Sequence, residues 1–112
     1  ADCNANGDIF GGWVMAQVDV AGAIPAMRLA RGRVATVSVN SFQFKQAISV
    51  GDIVSLYAEI VHVGRTSITV NVEVYAERNY ASPVTVKVTE AQLTYVAIDG
   101  NGEKRPVPPQ NT

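Results

Sequence analysis

GGWVMAQVDVAGAIPAMRLA, residues 11–30, is the stretch that organises the rest of the chain. Trp13, Val14, Met15, Val18, Ala21, Ile24 and Met27 recur at helical spacing with apolar coverage most of the way round. This predicts a helix from Gly11 to about Ala30 that is buried on several sides. Pro25 removes the amide that would bond to the Ala21 carbonyl, so a kink or a break is expected there. Asp19 is the anomaly. It is the only charged residue between Asp8 and Arg28, and its neighbours three and four positions away are Met15, Ala16, Gly22 and Ala23. It stands more than two turns from the helix start, too far for the macrodipole to support it. A carboxylate on such a surface is either a structural acid with hydrogen-bond partners or a groove-facing group, or it is a functional one. The residues alone leave both readings open.

Upstream, residues 1–8 (ADCNANGD) are turn-formers without a period. Asp8-Ile9-Phe10-Gly11-Gly12 then leads into the helix, whose first-turn amides have no partners within the helix. Two glycines there either form an ordinary entry capped by Asp8 or an Asn, or let a substrate approach amides able to bind an oxyanion. Downstream of Gly32 the character changes. Arg33–Phe44, Ile53–Val63, Thr66–Ala76 and Val84–Ile98 are rich in Val, Ile, Thr and Tyr. Alternation is plainest where Ile68, Val70, Val72 and Val74 interleave with Thr69, Asn71, Glu73 and Tyr75. Turn signals separate them at 50–52, 63–65, 79–83 and 99–102, which predicts an antiparallel sheet. One helix and four long strands make a two-layer α+β domain, residues 1–112, with the sheet wrapped around the helix.

The totals bound the function. The 112 residues are 47% hydrophobic and 17% charged, as an ordered single domain requires. A net charge of −1 with basic residues scattered singly offers no stripe to track nucleic acid. The apolar stretch from Ile9 to Met27 is too polar and interrupted for a transmembrane span. Cys3 is the lone cysteine, which excludes an internal disulfide and leans towards a reducing, cytoplasmic setting. It lies without a paired base, which argues against a thiol nucleophile. His62, the lone histidine, makes no metal constellation. Ser38, Ser41 and Ser67 lack the Gly-x-Ser-x-Gly setting of a serine hydrolase.

Several ordered segments together resemble the acyl-CoA thioesterase branch of the hotdog superfamily, in particular the YciA-type acyl-CoA hydrolases. They are Asn4-Ala-Asn-Gly-Asp-Ile-Phe-Gly-Gly-Trp13, Gln17-Val-Asp19, Gly32-Arg-Val-Ala-Thr-Val37, Ser41-Phe-Gln-Phe-Lys45, Ile48-Ser-Val-Gly-Asp52, Val63-Gly-Arg-Thr-Ser67, Val72-Glu-Val74, Val88-Thr-Glu-Ala91 and Thr94-Tyr-Val-Ala-Ile-Asp99. The resemblance spans nearly the whole chain. It implies a hotdog fold and hydrolysis of acyl-CoA to free fatty acid and CoA, with no cofactor, since coenzyme A is part of the substrate. It implies Asp19 as the catalytic carboxylate, Asp8 as a polar partner from a neighbouring subunit, and the Gly11 and Gly12 amides as polarisers of the thioester carbonyl. Gly64, Arg65, Thr66, Ser67 and Lys45 fall on CoA-contacting positions, Arg65 as the phosphate partner. A homodimer is implied as the minimal unit, with a trimer of dimers, a hexamer, as the assembly.

Departures are Gln46, where many members have Pro, and Pro25. The strand that precedes the Asn-rich motif in the family is also missing, which suggests a segment before Ala1. Two rivals are a hotdog dehydratase, which needs a histidine near the helix acid and finds none, and a non-catalytic acyl-CoA sensor.

Overall fold

The computed structural model describes residues 11–110 apart from 79, 80 and 82. Helix α1 (Gly11–Ala30) is followed by four strands, β1 (Val34–Phe44), β2 (Ile53–Val63), β3 (Ser67–Arg78) and β4 (Val84–Ala97). They form one antiparallel sheet in the order β1-β4-β3-β2. β2, β3 and β4 are joined as successive hairpins, whereas the segment 45–52 carries the chain from one sheet edge to the other. That crossover is pinned by buried Ile48, by the Ser49 amide donating to Asp52 Oδ2 at 2.9 Å and by the Arg78–Asp52 ion pair at 3.0 Å.

The helix lies on one face of the sheet. Its buried residues are Val14, Val18, Gly22, Ala26 and Ala30, spaced by four as a single stripe. Facing them are Ile68, Val70, Val72, Val74 and Ala76 from β3, with Ala91, Leu93, Tyr95 and Ala97 from β4. Alternate positions on these central strands point inward because the pleat has period two. Burial on several sides, expected from composition, is not what one chain provides. Val20, Ile24 and Met27 remain exposed on the helix, as do Val37 and Val39 on the edge strand β1.

Pro25 does not break the helix, which continues to Ala30. The flanking Gly22 and Ala26 are packed on the sheet, and such packing outweighs one lost backbone bond. Beyond Ala30 the helix ends in a Schellman turn: the Gly32 amide donates to the Met27 carbonyl at 3.2 Å and the Arg31 amide to that of Arg28 at 3.4 Å. The left-handed position of this turn is taken by Arg31, at φ 54°. A side chain there costs about 1–2 kcal/mol that glycine avoids.

Candidate active site

Asp19 is half-buried on α1, and its carboxylate reaches the start of β1. The Thr36 hydroxyl donates to Asp19 Oδ1 at 2.6 Å. Under the same helical turn lies Tyr95, fully buried, whose hydroxyl donates to the Asp19 carbonyl at 2.7 Å. The phenol passes through the space a side chain at Gly22 would occupy, so this position is glycine for a steric reason. Burial, and then the negative charge of Asp19, pushes the Tyr95 pKa well above its usual value. Tyr95 therefore stays a proton donor and holds the helix backbone at Asp19. Among the described residues Asp19 Oδ2 has no hydrogen-bond partner.

Gly11 and Gly12 begin the helix, eight and seven residues before Asp19. At a rise of about 1.5 Å per residue, the first amides and the carboxylate of one chain are about 12 Å apart along the axis. One helix cannot place both on a single carbonyl. The glycines also differ from each other. A Cβ at Gly11 would come within 2.9 Å of the Phe44 ring, so packing already explains it, whereas Gly12 has open space around it. Asp8 and Cys3 lie outside the described residues.

The turn between β2 and β3 carries Gly64, Arg65, Thr66 and Ser67. The Gly64 amide donates to the Ser67 carbonyl at 2.8 Å, and the Ser67 hydroxyl would sit 2.6 Å from a Cβ at Gly64. Thr66 accepts from the Ala97 amide at 2.9 Å, which ties the turn to the end of β4 nearest Thr36 and Tyr95. Arg65 is exposed. Lys45 is elsewhere: its amide donates to Val88 at 2.8 Å and its ammonium pairs with Glu90 at 3.8 Å. Nine residues of β4 separate the two anchor points, about 30 Å at strand rise. The structure thus brings Asp19 and the 64–67 turn to one end of the molecule, and Lys45 with Gly11 and Gly12 to the other.

Sequence reasoning gave no role to Thr36 or Tyr95. A signal existed for both. Val34 and Thr36 share the inward face of β1, and Ala91, Leu93, Tyr95 and Ala97 share that of β4, so each polar group is out of place on an apolar row.

A long helix laid on a wide antiparallel sheet is the layout of the hotdog fold. Residues 6–83 match the family model of the thioesterase superfamily, and the chain belongs to that family. It is 49% identical to the acyl-CoA thioester hydrolase YciA of Salmonella typhimurium over 98% of this chain and 84% of that protein. Among solved structures, a hexameric broad-specificity acyl-coenzyme A thioesterase, determined as an Asp→Ala variant, superposes with a TM-score of 0.92 at 47% identity. The match covers 98% of this chain and 81% of that one. A hexameric hotdog fold thioesterase of Campylobacter jejuni gives 0.90 at 44% identity, covering 96% and 82%. No helix among the described residues is long and apolar enough to cross a membrane.

Proposed function

We infer that this chain is an acyl-CoA thioesterase that hydrolyses the thioester at Asp19, in a site completed by a second copy of the chain. The observation that carries this reading is the half-buried Asp19 carboxylate, anchored through Oδ1 by Thr36 and free at Oδ2 among the described residues. Asp19 takes a proton from water as the water oxygen attacks the thioester carbon. The charge that develops on the carbonyl oxygen is received by the helix-start amides at Gly11 and Gly12. The tetrahedral intermediate then collapses, expelling the CoA thiolate, which leaves without strong acid assistance. The balance is one acyl-CoA and one water to one fatty acid and CoA, and it draws on no cofactor.

The 12 Å between amides and carboxylate favours pairing Asp19 of one copy with Asp8, Gly11 and Gly12 of its neighbour. The uncovered Val20, Ile24, Val37 and Val39 around Asp19 supply an apolar surface for that neighbour. A twofold contact along β1 satisfies both needs, and a trimer of such dimers agrees with the hexameric relatives. Arg65 and the 64–67 turn serve the CoA phosphates. On this layout Lys45 contacts the CoA of a site whose Asp19 belongs to the neighbour. The single cysteine supports a cytoplasmic setting.

Release of free thiol from a panel of acyl-CoAs tests the activity. Asp19→Asn should keep the fold and lower kcat by about a thousandfold or more. Near-normal turnover in that variant removes Asp19 from the chemistry, and binding without thiol release by the unaltered protein favours the sensor reading instead. Single turnover in labelled water separates water attack from direct attack by the carboxylate, since label enters Asp19 only on the anhydride route.

A further inference from the structure

We propose that Asn40 is a positioning residue for the reaction: it locks a pair of β-bulges in β1, and the pair carries Thr36 to the point where its hydroxyl holds Asp19. The proposal rests on the acyl-CoA reading above. Its first support is the register of the edge strand. The 11 residues of β1 face only the stretch Thr89–Ala97 of β4, which is two residues shorter. The pairing shifts once between Thr36 and Ser38 and again between Val39 and Ser41. Val37 and Asn40 are the two extra residues.

Counted from the Phe44–Thr89 pair, an unbroken ladder would set Thr36 opposite Ala97, about 7 Å along β4 from Tyr95. With one bulge alone Thr36 would stand opposite Val96 and point to the outer face, since a slip of one residue reverses every side chain beyond it. Both bulges together return it to the inner face, opposite Tyr95. There the Thr36 hydroxyl donates to Asp19 Oδ1 at 2.6 Å, and the Tyr95 hydroxyl donates to the Asp19 carbonyl at 2.7 Å. The two groups that hold Asp19 meet only because β1 carries two extra residues.

The side chain of Asn40 supplies the second support, because it ties the bulges to each other and to the sheet. Its Oδ1 accepts at 2.6 Å from the hydroxyl of Ser38, which directly follows the first bulge. Its Nδ2 donates across to β4, to Gln92 Oε1 at 3.1 Å and Thr94 Oγ1 at 2.9 Å. Gln92 in turn donates to Asn71 Oδ1 on β3 at 3.0 Å, so the edge strand is fastened to both central strands. Position 40 does not need asparagine for its backbone, since Arg31 is the one non-glycine residue with positive φ among those described. Stability gives little reason for it either: the contacts of Asn40 are exposed, where water competes for each of them. What they do fix is where β1 bulges, and hence which way Thr36 points.

The test replaces Asn40 by valine, which suits an unbroken strand and makes no side-chain hydrogen bond. Asn40→Val should lower kcat for acyl-CoA about tenfold and leave KM within about twofold. Asn40→Asp keeps an acceptor for the Ser38 and Thr94 hydroxyls and should retain about half of kcat or more. A residue that works through Thr36 adds nothing once that hydroxyl is gone, so Asn40→Val placed on Thr36→Val should cost less than about twofold. Unaltered kcat in Asn40→Val overturns the proposal, as does an undiminished loss in the Thr36→Val background or an equal loss in Asn40→Asp. If Asn40→Val does not fold, Ser38→Ala with Gln92→Ala strips Asn40 of two partners and takes the same comparisons. Should the unaltered protein release thiol from no acyl-CoA, the activity reading fails, and crystal structures then judge the strand. Thr36 displaced from Asp19 in Asn40→Val sustains the proposal, and Thr36 still in place on Asp19 rejects it.

Discussion

The two ends of the sheet use the same kinds of side chain in opposite ways. At the end near Phe44 and Val88, charges are consumed inside the chain: Lys87 is held between Glu73 and Glu90, Lys45 also meets Glu90, and Arg78 meets Asp52. The two carboxylates beside Lys87 push its pKa above the usual lysine value, and Lys87 in turn holds Glu90 below the usual carboxylate range. At the end near Thr36 and Ala97 charges are left over, with a carboxylate half anchored and five cations without carboxylate partners among the described residues. The first end stabilises a crossover. The second leaves its charges without partners among the described residues.

Substitutions around Asp19 at the second end should therefore alter catalysis at little cost in stability, and substitutions in the Arg78–Asp52 contact that pins the crossover the reverse. The largest effect is expected from Val37→Glu with Val39→Glu. Charges on that edge strand should prevent copies from pairing and abolish nearly all thioesterase activity, with size-exclusion chromatography showing a smaller species. Full activity in a monomer would remove the need for a second copy. Thr36→Val should come next, lowering kcat about ten- to a hundredfold through loss of the carboxylate's orientation, with the far-ultraviolet spectrum unchanged. Arg78→Met belongs to the other end. It should lower unfolding free energy in urea by about 1–3 kcal/mol, because the nearly buried Asp52 loses its partner, and leave kcat as it was. A drop in kcat without a drop in stability would erase the contrast between the ends.

The sheet was legible where its physics is local. The boundaries of β2 follow from alternation and turn residues alone, and those of β1 differ from expectation only at Arg33. Strand order was not legible, since it depends on Ile48 and the Arg78–Asp52 contact, both fixed only when distant segments meet. The helix was read with its correct extent, but its exposed Ile24 and Met27 looked like core, because the apolar pattern cannot say how many neighbours a helix has. Asp19 stood out because it breaks an apolar pattern. Thr36 did not, because threonine is ordinary in a strand and its importance lies 17 residues away. The closeness of Arg33, Arg65 and Lys104 was hidden for the same reason: they look scattered until the end of β4 collects their backbones.

The central claim is that Asp19 works with groups of another copy, and subunit complementation tests it most directly. Asp19→Asn and Asp8→Ala chains, each silent alone, are co-expressed with different tags and the mixed assemblies are purified. If Asp19 of one copy pairs with Asp8 of its neighbour, every mixed dimer holds one site with both groups intact, and about half of the normal activity per dimer should return. Mixed assemblies no more active than either parent would contradict the account.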